Sequence, residues 1–169
     1  MTPNWNKTVE AEMTLAQKAL KAAQLLLKRA FLEDATSRAY YAVLHAARAA
    51  LAAQATAPKT HAGVMRMLGE QLVKTGHIEA EYSRMFSAAQ DARKFCDYVS
   101  SFQMSPDKAE LRVHDAARFV ERIERYLKDR KAANDGEKTA STVREGPSPY
   151  RTKRGRKKMR LARQSVGRG

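Results

Sequence analysis

The chain has 169 residues, 43% of them apolar, with eight Gly and five Pro. That size suits one domain with a packed core, and the scarcity of Gly and Pro argues against a β-rich or low-complexity body. The net charge of +14 favours polyanionic partners, and the single cysteine, Cys96, leaves no intramolecular disulfide and no thiolate metal site.

The opening segment, MTPNWNKTVEAEM, lacks the charged-then-apolar order of a secretory leader. A first helix is expected over 5–29, where Val9, Met13, Ala16, Leu20 and Leu27 recur at helical spacing. A second begins near Thr36 or Ser37, with Asp34 as an alternative cap, and extends to about Gln54. Pro58 breaks it, because proline cannot continue a helix and restricts Ala57 before it. A third is expected over 61–75 on Val64, Met67, Leu68 and Leu72, with Gly76 as its stop.

A fourth helix is expected over 78–100, with Tyr82, Met85, Phe86, Ala89, Ala92, Cys96 and Val99 as its apolar stripe. Ser105-Pro106 restarts the chain, and the fifth helix runs to about 131 on Ala109, Val113, Ala116, Val120, Ile123 and Leu127. No strand-like alternation occurs, so the fold expected is all-α: an antiparallel up-and-down bundle of about five helices over 1–133. Residues 134–169 read as a flexible linker and basic tail, expected to be disordered alone. Residues 138–169 hold eleven Lys/Arg against one acid, Glu145, a net of +10. Arg151, Lys153, Arg154, Arg156, Lys157, Lys158, Arg160 and Arg163 are expected to contact nucleic-acid phosphates, although such a tail can also be merely solubilising. No apolar run approaches the roughly 18 residues needed to span a bilayer, so a soluble, cytoplasmic protein is expected.

The second helix carries the sharpest signal. On a wheel of about 100° per residue, Arg38, Tyr41, His45 and Arg48 share an arc of roughly 80°, while Tyr40, Val43, Leu44, Ala47 and Leu51 lie opposite. The intervening alanines allow close packing of neighbours. The Arg/Tyr/His stripe then faces a groove, a subunit interface or solvent. The plain alternative is internal hydrogen bonding, with Asp91, Asp97 or Glu70 neutralising a buried arginine.

SRAYYAVLHAARAAL, then KTHAGV, then ARKFCDYV, over about residues 7–128, resemble the HEPN superfamily (higher eukaryotes and prokaryotes nucleotide-binding). The likeness is to its small prokaryotic branch, which has a Ser-Arg-x-Tyr-Tyr-Ala helix followed by a Thr-His loop. The resemblance implies a helical bundle that often dimerises and acts as an RNA-binding module or a metal-independent ribonuclease. In several members it implies a toxin paired with a nucleotidyltransferase antitoxin. The nuclease signature, Arg followed after four to six residues by His, is met in spacing by Arg38 and His45. On the later helix, where the family carries it, Arg93 is followed by Asp97 and Tyr98 where His is expected.

The catalytic candidates are therefore Arg38, His45 and Arg93. Arg48 and His61 are candidates for RNA binding, with His61 a second choice for proton transfer or a simple cap of the third helix. Metal-free RNA cleavage needs a group titrating near neutrality and a cation for the charged phosphorane, which His and Arg supply. No metal site and no cofactor are expected. The four histidines are isolated, and no phosphate-cradling Gly loop is present. The expected partners are RNA, a second copy of the chain and a nucleotidyltransferase antitoxin, with no membrane. A non-catalytic interaction module or ribonucleoprotein component is the alternative.

Overall fold

The computed structural model describes residues 4–98 and 103–144, with side chains described as far as residue 135. Val99 and the basic residues from Arg151 onward lie outside the described residues. The chain divides into units Met1–Asn134 and Asp135–Gly169, and all the packing below belongs to the first.

Among the described residues there are five α-helices and no strand: α1 (Trp5–Lys28), α2 (Leu32–Ala52), α3 (His61–Leu68), α4 (Ala80–Tyr98) and α5 (Pro106–Arg144). Four long helices alternate in direction, and the short α3 bridges α2 to α4. His45 of α2 meets Glu12 of α1, and Ser37 at the start of α2 meets Asp97 at the end of α4. Phe119 of α5 packs edge-on to Tyr82 and Phe86 near the start of α4. These pairings make α1, α4 and their partners α2, α5 antiparallel neighbours, the up-and-down arrangement of a helical bundle.

The core explains why α2 is central. Its alanines at 39, 42, 46, 47, 49 and 50 are all fully buried, as are Tyr40 and Leu51. Small side chains let α1, α3 and α4 approach the α2 backbone on several sides at once. The remaining core is filled by Val64, Leu68, Leu72, Phe86, Phe119 and Ile123. Aromatic pairs such as Phe86–Phe119, with ring centroids 6.1 Å apart, each add about 0.5–1.5 kcal/mol beyond their area.

Two stretches depart from the apolar spacing. The helix expected over 61–75 is α-helical for only eight residues, and Gly69–Val73 continues as a π-helical turn. There the Lys74 N–H donates to the Gly69 carbonyl at 2.9 Å. At the other end, α5 continues past its last apolar contact, Leu127, to Arg144. The Ala, Lys and Glu content of that segment favours helix without requiring a buried face.

The exits of α1, α2 and the π-turn are built alike. Ala30, Ala55 and Gly76 adopt positive φ of 59°, 54° and 76°. In each the next N–H bonds back to the last turn: Phe31 to Leu26, Thr56 to Leu51 and His77 to Leu72. This left-handed cap closes the orphan carbonyls, and glycine suits it best because it has no Cβ to crowd the carbonyl. Ala30 and Ala55 carry the left-handed strain that Gly76 avoids. Ala55→Gly is therefore expected to raise stability by roughly 0.5–1 kcal/mol, the relief of left-handed strain less the added unfolded-chain entropy. Urea unfolding should show a higher midpoint at unchanged slope, and a lower midpoint would refute the account.

Candidate functional site

The polar residues of α2 converge with the α2–α3 loop and the second half of α4. Tyr40 is fully buried, yet its hydroxyl reaches the His61 Nδ1 at 2.8 Å. The KTHAG loop makes this contact possible. Thr60 caps α3 by accepting a hydrogen bond from the Gly63 N–H at 3.0 Å. A Cβ on Gly63 would lie 2.9 Å from the Thr60 hydroxyl and 3.3 Å from the Pro58 side chain. The glycine thus lets the cap close, and His61, the first residue of α3, turns toward Tyr40. The capping role open to His61 on sequence grounds falls to Thr60.

Arg93 of α4 braces the same place from the other side. Its guanidinium lies 5.5 Å from the Tyr40 ring centre and 5.4 Å from that of Tyr41. Its Nε is 2.7 Å from a carboxylate oxygen of Asp97, at an angle that makes the contact charge pairing rather than a directed hydrogen bond. Asp97 also accepts from the Ser37 hydroxyl at 3.0 Å. Ser37, Tyr40, Tyr41, Arg93 and Asp97 therefore tie the start of α2 to the end of α4. Such cation–π and ion-pair contacts stiffen the site and commit Arg93 to it.

His45 is held differently. Its Nδ1 lies 2.7 Å from a Glu12 oxygen of α1, both side chains being about one-fifth exposed (20% and 21%). Ionised carboxylates only accept, so the Nδ1 carries the hydrogen. Of the carboxylates that the sequence offers to a buried arginine, Glu70 pairs with Arg66, Asp91 with Lys94 and Asp97 with Arg93, and none pairs with Arg38 or Arg48. Glu12 has no mark in the sequence, because its partner is 33 positions away in the chain. Helical spacing puts Tyr40 on the apolar face, where it lies, but gives no sign that its hydroxyl meets a distant loop.

Arg38 and Arg48 complete the stripe. Arg38 is exposed and Arg48 half-buried. Neither side chain makes an ion pair or hydrogen bond with any described residue. They lie about 15 Å apart along the helix axis at 1.5 Å per residue, with His45 between them. The structure thus brings together Tyr40, His45, Arg48, His61 and Arg93, with Arg38 two turns before His45. His77 and His114 are exposed and stand apart.

The electrostatics follow from this crowding. Burial lowers the proton affinity of His61 below its usual 6.5, and Arg48, Arg93 and His45 push it further down. Burial raises the Tyr40 phenol above 10.0, with Arg93 partly opposing it, so the hydroxyl keeps its proton. Burial, together with Glu33 and Asp97, lifts the Cys96 thiol to about 11, which removes it as a thiolate nucleophile near neutral pH. Among the described residues, no cluster of three or more His, Cys, Asp or Glu side chains is arranged to hold a metal ion.

An NMR titration is expected to place the His61 midpoint below 6.5, and Arg48→Gln should raise it. The unfolded ring takes up its proton first as the solution is acidified. Stability is therefore full above pH 6.5 and lost as pH falls from 6.5 through the folded midpoint. A His61 midpoint at or above 6.5 would contradict this reading of the cluster.

Comparison with known proteins gives the family. The model of the HEPN domain matches residues 9–126. A relative from Methanocaldococcus jannaschii named "Putative toxin MJ0605" is 36% identical over 121 residues, covering 72% of this chain and 90% of its own. A second from the same organism, "Putative toxin MJ0142", is 27% identical over 142 residues, covering 82% of this chain and 97% of its own. A Thermotoga maritima relative named "UPF0332 protein" is 29% identical over 127 residues, covering 75% and 96%. With the Ser-Arg-x-Tyr-Tyr-Ala helix set against the Thr-His loop, and with this match over most of the bundle, the chain belongs to the HEPN domain family.

Proposed function

We propose that this protein is a toxin-like, metal-independent endoribonuclease that binds RNA along the polar stripe of α2. The observation that carries the reading is that Arg38 and Arg48, flanking His45 on α2, make no ion pair or hydrogen bond with a described residue. A half-buried arginine with no carboxylate partner among the described residues is an incomplete ion pair, and a phosphodiester completes it with a planar, two-pronged contact. His45 serves the RNA 2′-OH as general base. Arg48, Arg38 and the His61 ring stabilise the charge that develops on the phosphorane. Arg93 supports this chemistry by holding Tyr40 and Tyr41, not by touching phosphate.

The tail residues Arg151, Lys153, Arg154, Arg156, Lys157, Lys158, Arg160 and Arg163 add phosphate contacts without sequence preference. The word toxin in the names of two relatives supports pairing with an antitoxin, for which a nucleotidyltransferase is our reading. A homodimer would set two stripes against one RNA. The second reading, a non-catalytic module that binds RNA or a partner, is favoured by one observation. The helix that carries Arg93 has Asp97, engaged in an ion pair, where the family signature expects His.

Labelled RNA incubated with the full chain in EDTA separates these readings. Cleavage is expected, and His45→Ala should lower it by about 10²–10⁴-fold while the fold, read by circular dichroism, is retained. Arg48→Ala should lower cleavage and weaken RNA binding together. Binding without cleavage by the wild-type chain would select the module instead. Deleting residues 138–169 should weaken RNA binding and shallow its log–log salt slope by about 0.7 for each phosphate that is no longer neutralised. Unchanged affinity after that deletion would remove the tail from the mechanism.

A further inference from the structure

Glu12 lies outside every motif that marks the site, yet it makes the one polar contact of the His45 ring with a described residue. Three observations set this pair apart from an ordinary interhelical ion pair. Glu12 has no arginine or lysine partner among the described residues, so its carboxylate serves His45 alone. The bond engages Nδ1, and no described residue bonds Nε2. The ring held this way stands between Arg38 and Arg48, the two arginines of α2, whose side chains bond no described residue.

We infer that Glu12 is the positioning residue of the candidate site, fixing the ring plane and tautomer of His45 so that its Nε2 lone pair meets the RNA 2′-OH. The inference rests on the ribonuclease reading of that site. Because the carboxylate accepts the Nδ1 hydrogen, the neutral ring has its lone pair on Nε2. As O2′ attacks phosphorus, a P–O2′ bond forms and the 2′-OH proton passes to Nε2. The P–O5′ bond breaks, the leaving 5′-oxygen takes a proton from water, and the hydroxide so formed takes the proton from Nε2, restoring the neutral ring. The products are a 2′,3′-cyclic phosphate and a 5′-hydroxyl end. The imidazolium formed on His45 is compensated by the Glu12 charge 2.7 Å away. A carboxylate behind a histidine base orients the ring and stabilises its protonated form without itself being protonated.

The test uses the full chain with Glu12→Gln, Glu12→Ala, His45→Ala and the double variant Glu12→Ala/His45→Ala. Long-range 1H–15N NMR spectra of the imidazoles read the tautomer without any need for activity. The wild-type ring is expected to carry its hydrogen on Nδ1. Glu12→Ala should release it into a mixture, and Glu12→Gln, whose amide oxygen still accepts, should largely restore it. In EDTA, Glu12→Ala should lower kcat for RNA by about 10²-fold at little changed KM, the pattern of a group acting only in the transition state. In the His45→Ala background the same change should cost nothing further, since the two act as one unit. Additive losses in the double variant, or a His45 tautomer indifferent to Glu12, would overturn the positioning role. Failure of the wild-type chain to cut RNA would instead overturn the ribonuclease reading, whatever the tautomer shows.

Discussion

The packing of α2 is the constraint on which the rest of the molecule depends. Its alanines at 39, 42, 46, 47, 49 and 50 have no exposed surface, so its backbone is enclosed by α1, α3 and α4. A helix held on so many sides cannot rotate without opening voids along its length. Its one polar stripe is thereby fixed in orientation. Tyr40 gains its hydrogen bond to His61 only because the ring is anchored in this core. A larger side chain at these alanine positions would push α1 or α4 outward and loosen the site before it unfolded the domain.

That fixed stripe divides its charges unequally. Arg93 is taken up by Asp97 and two tyrosine rings, and His45 by Glu12. Arg38 and Arg48 are left without a described anionic partner. Satisfied and unsatisfied charges, counted over the described residues, thus occupy one helix face, and they are told apart by what each charge touches. The neutral His61 ring, kept so by burial and by three neighbouring positive or titrating groups, adds a hydrogen-bonding group without adding repulsion. On the ribonuclease reading proposed above, a phosphodiester beside Arg48 would meet a cation with no described anionic partner, next to rigid donors, the combination that favours a developing phosphorane over the ground state.

The loop between α2 and α3 shows how much a few residues decide. The left-handed cap at Ala55 closes α2 ahead of Pro58, Thr60 starts α3, and Gly63 makes room for Pro58 and Thr60. His61 is placed by these neighbours and not by a preference of its own. The tightness of the loop explains why a Thr-His pair can work at a distance from the helix it serves. The π-turn at Gly69–Val73 then redirects the chain toward α4, with Arg122 clamping Glu79 at 2.8 Å and the His77 carbonyl at 2.7 Å to hold the junction against α5.

Local patterns are sufficient for the number and order of the helices but not for their ends: α2 starts at Leu32 with no side-chain cap, ahead of the caps that Asp34, Thr36 and Ser37 offer. Apolar spacing, the Pro58 break, the Gly76 stop and the Ser105-Pro106 restart are properties of neighbouring residues, so the all-α bundle is legible from the sequence. The same holds for the stripe of Arg38, Tyr41, His45 and Arg48, which follows from 3.6 residues per turn. Local patterns do not reveal the Ala30 and Ala55 left-handed caps, since alanine carries no mark of positive φ. They also miss the π-turn and the pairing of Glu12 with His45. Sequence determined which side chains share a helix face, because that periodicity is intrinsic to the backbone. Only the tertiary structure decided which of those charges are satisfied, because a partner 33 residues away is brought near by packing and by nothing in the intervening sequence.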